Sequence, residues 1–235
     1  ARRGSFFNAV HPAPSGGRAT NQVRLFEVVN GALAQAMPHR AMGAFTHWSN
    51  PNIGGFDDRK GKPFVQYDLL FGGYGGQHDK DGEEGMAPLM NCTNIPVEVY
   101  ENAGPLLVQR LELRTDSGGA GKFRGGLGLR KDIILRCKEA LATLLTDRRK
   151  FAPFGVFGGE PGEKTRIVLT RNDEEFNLET KETLTLQLND VLSLRLSGAG
   201  GYGNPLERDA WRIEDDLADG YITKEGAQQD YGVEI

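Results

Sequence analysis

Glycine is concentrated in this chain, and its placement constrains the fold more than any other feature. The 32 glycines among 235 residues are about twice the usual share. Fourteen of them fall in four blocks: Gly72-Gly73-Tyr74-Gly75-Gly76, Gly118-Gly119-Ala120-Gly121, Gly125-Gly126-Leu127-Gly128 and Gly198-Ala199-Gly200-Gly201-Tyr202-Gly203. No G-X-Y period exists and there are only 11 prolines, which excludes collagen. With 38% hydrophobic residues in long periodic segments, general disorder is excluded too. The blocks read as tight turns fixed between packed elements.

Three fragments imitate known motifs and fail on their neighbours. Gly118 to Lys122 resembles the end of a phosphate-binding loop, but Asp116 stands where its first glycine belongs and Phe123 where Ser or Thr belongs. Gly198 to Gly203 fits G-x-G-x-x-G, yet Asn204-Pro205 follows in place of a helix opening inside the motif. Asp116-Ser117-Gly118-Gly119 imitates a serine-protease loop, but Thr115 precedes it and His47 lies in Phe45-Thr46-His47-Trp48, the wrong setting.

Composition closes further classes. The net charge of −4 and the lack of a sustained basic stretch argue against nucleic acid as a partner. Two cysteines, Cys92 and Cys137, without C-x-x-C exclude a disulfide scaffold and a zinc finger and suit a reducing cytoplasm. No apolar run reaches the ~18 residues of a membrane span. The chain starts without Met and without an apolar signal core, so it is expected to be processed, cleaved or a piece of something longer. None of the four histidines makes H-x-x-x-H, and no metal ligand is assigned. The acidic stretch His78 to Glu84 reads as a solvated loop.

Periodicity predicts an α+β fold: a β-rich core, mixed and antiparallel, with Gly-rich turns, a buried N-terminal helix and a helical C-terminal tail. Thr20 to Met37 forms the first helix, with Arg24, Glu27, Gly31 and Gln35 in a narrow polar stripe and an apolar arc wide enough to predict burial on most sides. Strands are predicted at Phe64–Phe71, Leu106–Arg114, Lys131–Cys137 and Ala140–Thr146, and a short helix at Asn94–Asn102. Leu184 to Leu196 predicts a hairpin pairing Leu188 with Leu192 and Leu186 with Leu194. Two tail helices follow, one ending before Gly220, the other capped by Thr223 and ending near Tyr231-Gly232. The expected segments are 1–105 (mixed α/β, continuing a larger upstream domain), 106–204 (β-rich) and 205–235 (helical tail).

Asp147-Arg148-Arg149 ends an apolar strand, where an acid beside two guanidinium groups suits structural salt bridging first, and otherwise a bound carboxylate or phosphate. Taken with Thr93-Asn94-Ile95-Pro96-Val97-Glu98, the long run Arg114 to Gly128, Pro153-Phe154-Gly155 and Ser197 to Pro205, this block resembles the hydantoinase B/5-oxoprolinase family, in order and over the whole chain. Departures are Thr115 for Pro, Thr146 for Ser and Asn204 for Asp. The chain resembles the C-terminal half of such subunits.

That resemblance implies an ATP-dependent hydrolase of cyclic amides (N-methylhydantoin, 5-oxoproline or a related lactam), with ATP and Mg on an A-type partner subunit. It implies a cytoplasmic hetero-oligomer that includes the missing N-terminal half, where a metal would sit, and no activity for this chain alone. Two alternatives are an acetone or acetophenone carboxylase and a non-catalytic scaffolding segment. The residues expected to act are Asp147, Arg148 and Arg149 as catalytic groups, and Gly72, Gly73, Gly75, Asp116, Ser117, Gly118, Gly119 and Arg124 as substrate-loop positions. Replacing Arg148 by Ala is expected to reduce turnover more than folding.

Overall fold

A computed structural model describes residues 1–14, 17–90 and 92–233. In chain order the elements are α1 (Arg18–Leu33), β1 (Asn52–Asp57), β2 (Lys62–Tyr67), α2 (Val97–Ala103), β3 (Leu106–Leu113), β4 (Leu129–Leu135), β5 (Glu139–Thr143), β6 (Arg166–Arg171), β7 (Glu174–Leu178), β8 (Thr183–Gln187), β9 (Val191–Arg195), α3 (Ala210–Ala218) and α4 (Lys224–Tyr231). This is the α+β class read from the sequence.

The strands form two sheets, ordered β2-β1-β5-β8 and β3-β4-β9-β6-β7, and every pairing between these strands is antiparallel. One apolar cluster joins them: Ile53, Ala140, Ala142 and Leu186 from the first, Ile133, Leu135, Ile167, Leu192 and Leu194 from the second. Alternating residues of both sheets therefore face one core, as in a sandwich. β1 and β2 share a sheet with β5 and β8, so segments 1–105 and 106–204 are interleaved.

The hairpin at Leu184–Leu196 does not form. β8 pairs with β5 (Ala140 opposite Leu186), whereas β9 lies between β4 and β6. The corner at Leu188–Asp190 carries the chain from one sheet to the other. Asn189 takes φ 68° there, and the Asp190 carboxylate accepts bonds from Gln187 N at 2.7 Å and Arg171 Nε at 3.0 Å. Leu186, Leu192, Leu194 and Leu196 are buried all the same, because two facing sheets take the alternating side of each strand, whereas Leu188 at the corner is exposed.

Helix α1 also differs from its reading. Leu25, Phe26, Val28, Val29 and Leu33 are exposed, while Val23 and Glu27 are buried. The polar stripe faces inward, because Arg24 and Glu27 have charged partners beneath them, and the wide apolar arc faces out.

A third region has no regular secondary structure, and glycine builds it. Gly43 N donates to Gly76 O, Gly76 N to Gly200 O and Gly200 N to Ala44 O, each at 2.9 Å. A second closed set runs Gly125 N to Gly119 O, Gly119 N to Ala199 O and Ala199 N to Gly126 O. Extended chains thus bond in several directions rather than in one flat ladder. Such close approach requires the absence of side chains: a Cβ on Gly198 would lie 1.7 Å from Ser117 O, and one on Gly125 would lie 2.2 Å from Ala199 O.

The tail packs on this body. Ile213, Ile222, Ala227 and Tyr231 cluster on Ala120. Thr223 caps α4, its Oγ accepting from Gly226 N at 3.0 Å, and Gly220 and Gly232 take φ 73° and 69°.

Candidate functional site

Leu144, Leu145 and Thr146 lead from β5 to the Asp147-Arg148-Arg149 block. Arg148 adopts φ 68°, an uncommon backbone state for a bulky residue, and the three side chains diverge. Arg149 turns to the Leu178 carbonyl and to Glu179, 2.8 Å away. Arg148 turns inward, where its Nη2 donates to Glu27 Oε1 and to the Phe45 carbonyl at 2.9 Å. Burial, opposed by Glu27, lowers its pKa to about 10, so it stays a cation at neutral pH.

Asp147 borders a cleft of about 730 Å³ that includes Phe6, Phe7, Val10, Thr20, Asn21, Arg24, Leu145 and Lys181. Arg24 donates to Asp147 Oδ2 through Nε at 3.1 Å and Nη2 at 2.9 Å, and to Glu27 through Nη1 at 2.7 Å. Burial alone would raise the Asp147 pKa, but Arg24 reverses this and holds the carboxyl below its ordinary value. Asp147 is therefore an anion at neutral pH, suited to orienting cations and not to donating a proton. Lys181 Nζ stands 4.0 Å from Asp147 Oδ1 with its side chain more than half exposed. The charges run Arg148, Glu27, Arg24, Asp147, Lys181 in alternating sign, the last three lining the cleft and the first two buried behind it.

His47 lies beneath the first turn of α1. Its Nδ1 is 2.9 Å from the Trp48 carbonyl and its Nε2 3.3 Å from that of Thr20. Burial outweighs these partners and lowers the pKa from 6.5 to about 4. Between those values the unfolded chain takes up a proton that the folded chain refuses. Stability is then full above pH 6.5 and falls as pH drops toward 4, by roughly 3 kcal/mol in all. His47→Gln is expected to flatten the dependence of urea-unfolding free energy on pH across this window; an unaltered slope would remove His47 as its source.

The two glycine loops named as substrate loops meet each other. A Cβ on Gly72 would lie 2.5 Å from Thr46 Cγ2, one on Gly73 2.4 Å from the Gly126 carbonyl carbon, and one on Gly75 1.9 Å from Gly43 O. Gly118 and Gly119 press equally closely on the carbonyls of Gly125 and Glu160. Ser117 is buried, its hydroxyl donating to Arg114 O and accepting from Gly128 N. Asp116 accepts from Thr223 N at 2.8 Å and Thr223 Oγ1 at 2.9 Å, which ties the loop to α4. Asp116 and Gly118 also border a second cleft, of about 760 Å³, with Glu160, Glu163, Glu225 and Asp230.

Arg124 is buried between Glu84 (3.0 Å) and Asp216 (3.3 Å). Asp81 accepts from Arg208 at 2.6 Å, Arg212 at 3.0 Å and Arg124 N at 2.6 Å. Two acids of the stretch read as a solvated loop thus point inward and fasten the tail to the glycine body. Among the described residues no three His, Cys, Asp or Glu side chains converge as metal ligands, and no helix is long and apolar enough to cross a membrane.

Two sheets over one core, joined to a body of mutually bonded glycine segments, define a fold also present in enzymes that use ATP. The chain superposes on the crystal structure of ATP-dependent caprolactamase from Pseudomonas jessenii with a TM-score of 0.82 and 30% identity, over 97% of this chain and 42% of that one. Acetone carboxylase in its nucleotide-free structure shares the fold (TM-score 0.70, 20% identity, 87% of this chain and 32% of that one). In sequence, the B-type subunit of a putative D-/L-hydantoinase from a Pseudomonas species is 32% identical over 247 residues, covering 100% of this chain and 40% of that protein. The family described as hydantoinase B/oxoprolinase matches residues 1–205, and this chain belongs to it. It spans about two fifths of the length of the first curated relatives it matches, and 11–18% of the length of the 5-oxoprolinases among them.

Proposed function

We propose that this chain is part of a B-type subunit that works with an ATP-binding A-type subunit to open the ring of a cyclic amide. What supports this reading is the likeness to caprolactamase along nearly the whole chain. ATP, with Mg on the partner, would transfer its terminal phosphoryl group to the amide oxygen, releasing ADP and leaving the ring carbon open to water. Water addition would then break the ring C–N bond, giving an amine and an acyl phosphate that a second water would hydrolyse to carboxylate and phosphate. The place of action is the cytoplasm.

In this reading Asp147 orients Arg24 and Lys181, and those two cations hold an anionic group in the cleft. Arg148 and Arg149 position Asp147 by fixing its turn. The loops containing Gly72, Gly73, Gly75, Asp116, Ser117, Gly118, Gly119 and Arg124 act as rigid support, and segments 1–105 and 106–204 act as one unit carrying the tail. The test is the assembled complex with ATP and Mg, offered N-methylhydantoin, 5-oxoproline and caprolactam. Ring opening coupled to ADP release is expected. Consumption only of acetone or acetophenone with bicarbonate would replace the reading with a ketone carboxylase. Full turnover after Asp147→Asn, Arg148→Met and Arg149→Ala together would leave a scaffold.

A further inference from the structure

The outward face of α1 is built as an interior. Val28 is 66% exposed, Leu25 and Val29 47% each, and Leu33 45%. At 100° per residue these positions, with Phe26 and Ala32, share one side of the helix; from Asn21 to Leu33 no charged residue falls on that side, Asn21 and Gln22 are its uncharged polar members, and Arg18 stands on it only at the first helical position. Phe6, 75% exposed, lies in the stretch that leads into the same helix. Soluble monomers rarely leave so continuous an apolar surface open. Interfaces between exchanging partners are polar over much of their area, whereas a face made mainly of aliphatic and aromatic side chains resembles a core cut in half.

The length comparison points to what covers it. Relatives match this chain over 97% and 100% of its length but are only 40% covered themselves. About three fifths of such a subunit is therefore extra polypeptide that must pack against something. Exposed apolar residues are densest in the first 37 residues, the end at which preceding polypeptide would join. We propose that this face of α1 is the seat of the polypeptide that precedes Ala1 in a full-length B-type subunit. The inference rests on family membership and length, and does not depend on lactam opening.

Maleimide labelling tests it without any turnover. Cys92 is exposed and Cys137 buried, so Val28→Cys in a Cys92→Ser background reports on the face. The rate is measured in the 235-residue chain and again with the preceding polypeptide present, in cis from the complete reading frame or in trans from the product that carries it. Labelling at least about tenfold slower with that polypeptide present, before any A-type subunit is added, is the expected result. An equal rate overturns the proposal. So does slowing that needs the A-type subunit, or slowing in the 235-residue chain alone as its concentration rises, which would mean a second copy. Val28→Asp gives a second reading: because the side chain is exposed, the chain's melting temperature should not change, while association with the preceding polypeptide in trans should fall by at least about tenfold. Unaltered association would overturn the proposal as well.

Discussion

Arg148→Ala is expected to destabilise the folded chain by about 3 kcal/mol, because it removes one of the two guanidinium groups paired with a buried carboxylate. Arg148 and Glu27 each keep only 4% of their side-chain surface in solvent. The Glu27 carboxylate also accepts from Phe45 N at 3.1 Å and from Arg24 at 2.7 Å, and the lost guanidinium would leave the Phe45 carbonyl without the donor it has at 2.9 Å. A lower urea midpoint at an unchanged m-value is the predicted signature. The double variant Glu27→Gln with Arg148→Met removes both charges and should recover much of the loss, since an apolar replacement of a buried pair is often close to neutral. A wild-type midpoint for Arg148→Ala would show that water reaches Glu27. The sequence placed this arginine among groups that affect turnover before folding; its position beneath α1 reverses that order.

Gly198→Ala is expected to abolish the native state. The new methyl would have its carbon 1.7 Å from Ser117 O and 2.8 Å from Gly118 N. Overpacking in side-chain cores costs about 1–3 kcal/mol because side chains can shift. Here the obstacle is backbone that is itself bonded, with Gly198 N donating to Glu163 O at 3.1 Å, so the cost should exceed about 4 kcal/mol. Gly17→Ala is the control, since its Cβ meets nothing within 4 Å. Loss of the cooperative thermal transition for Gly198→Ala, with a near wild-type transition for Gly17→Ala, is the expected pair of results. Two equal transitions would refute close packing at Gly198.

What the sequence made legible follows the range of the interactions. Thr223 and Gly232 bound α4 as read, because capping is decided within one turn. The strand at Leu106–Leu113 and the helix after Pro96 were equally local. The destination of β8 was not, since a leucine alternation is identical whether the next strand folds back or crosses to a facing sheet. β1 was hidden by Gly54-Gly55, where a Cβ on Gly55 would come within 2.9 Å of Glu139 O. The β6–β7 hairpin carried a usable sign: Asn172 and Asp173 both take positive φ, as a two-residue turn requires. The wide apolar arc of α1 was visible, but the helical wheel cannot say which side faces its own chain. In the candidate site, Asp147 was legible as a charge at a strand end, whereas Arg24 and Lys181 come from 123 residues before it and from a separate loop.

The glycine body has a thermodynamic consequence. At the glycines its chains cross backbone to backbone, held by peptide groups that bond to one another with no side chain between them. Unfolding it therefore exposes mainly polar surface, which lowers heat capacity where apolar surface would raise it. The glycine crossings therefore draw on peptide-group enthalpy more than on the hydrophobic effect, and their contribution to stability is expected to change less steeply with temperature than that of the apolar sandwich beside them.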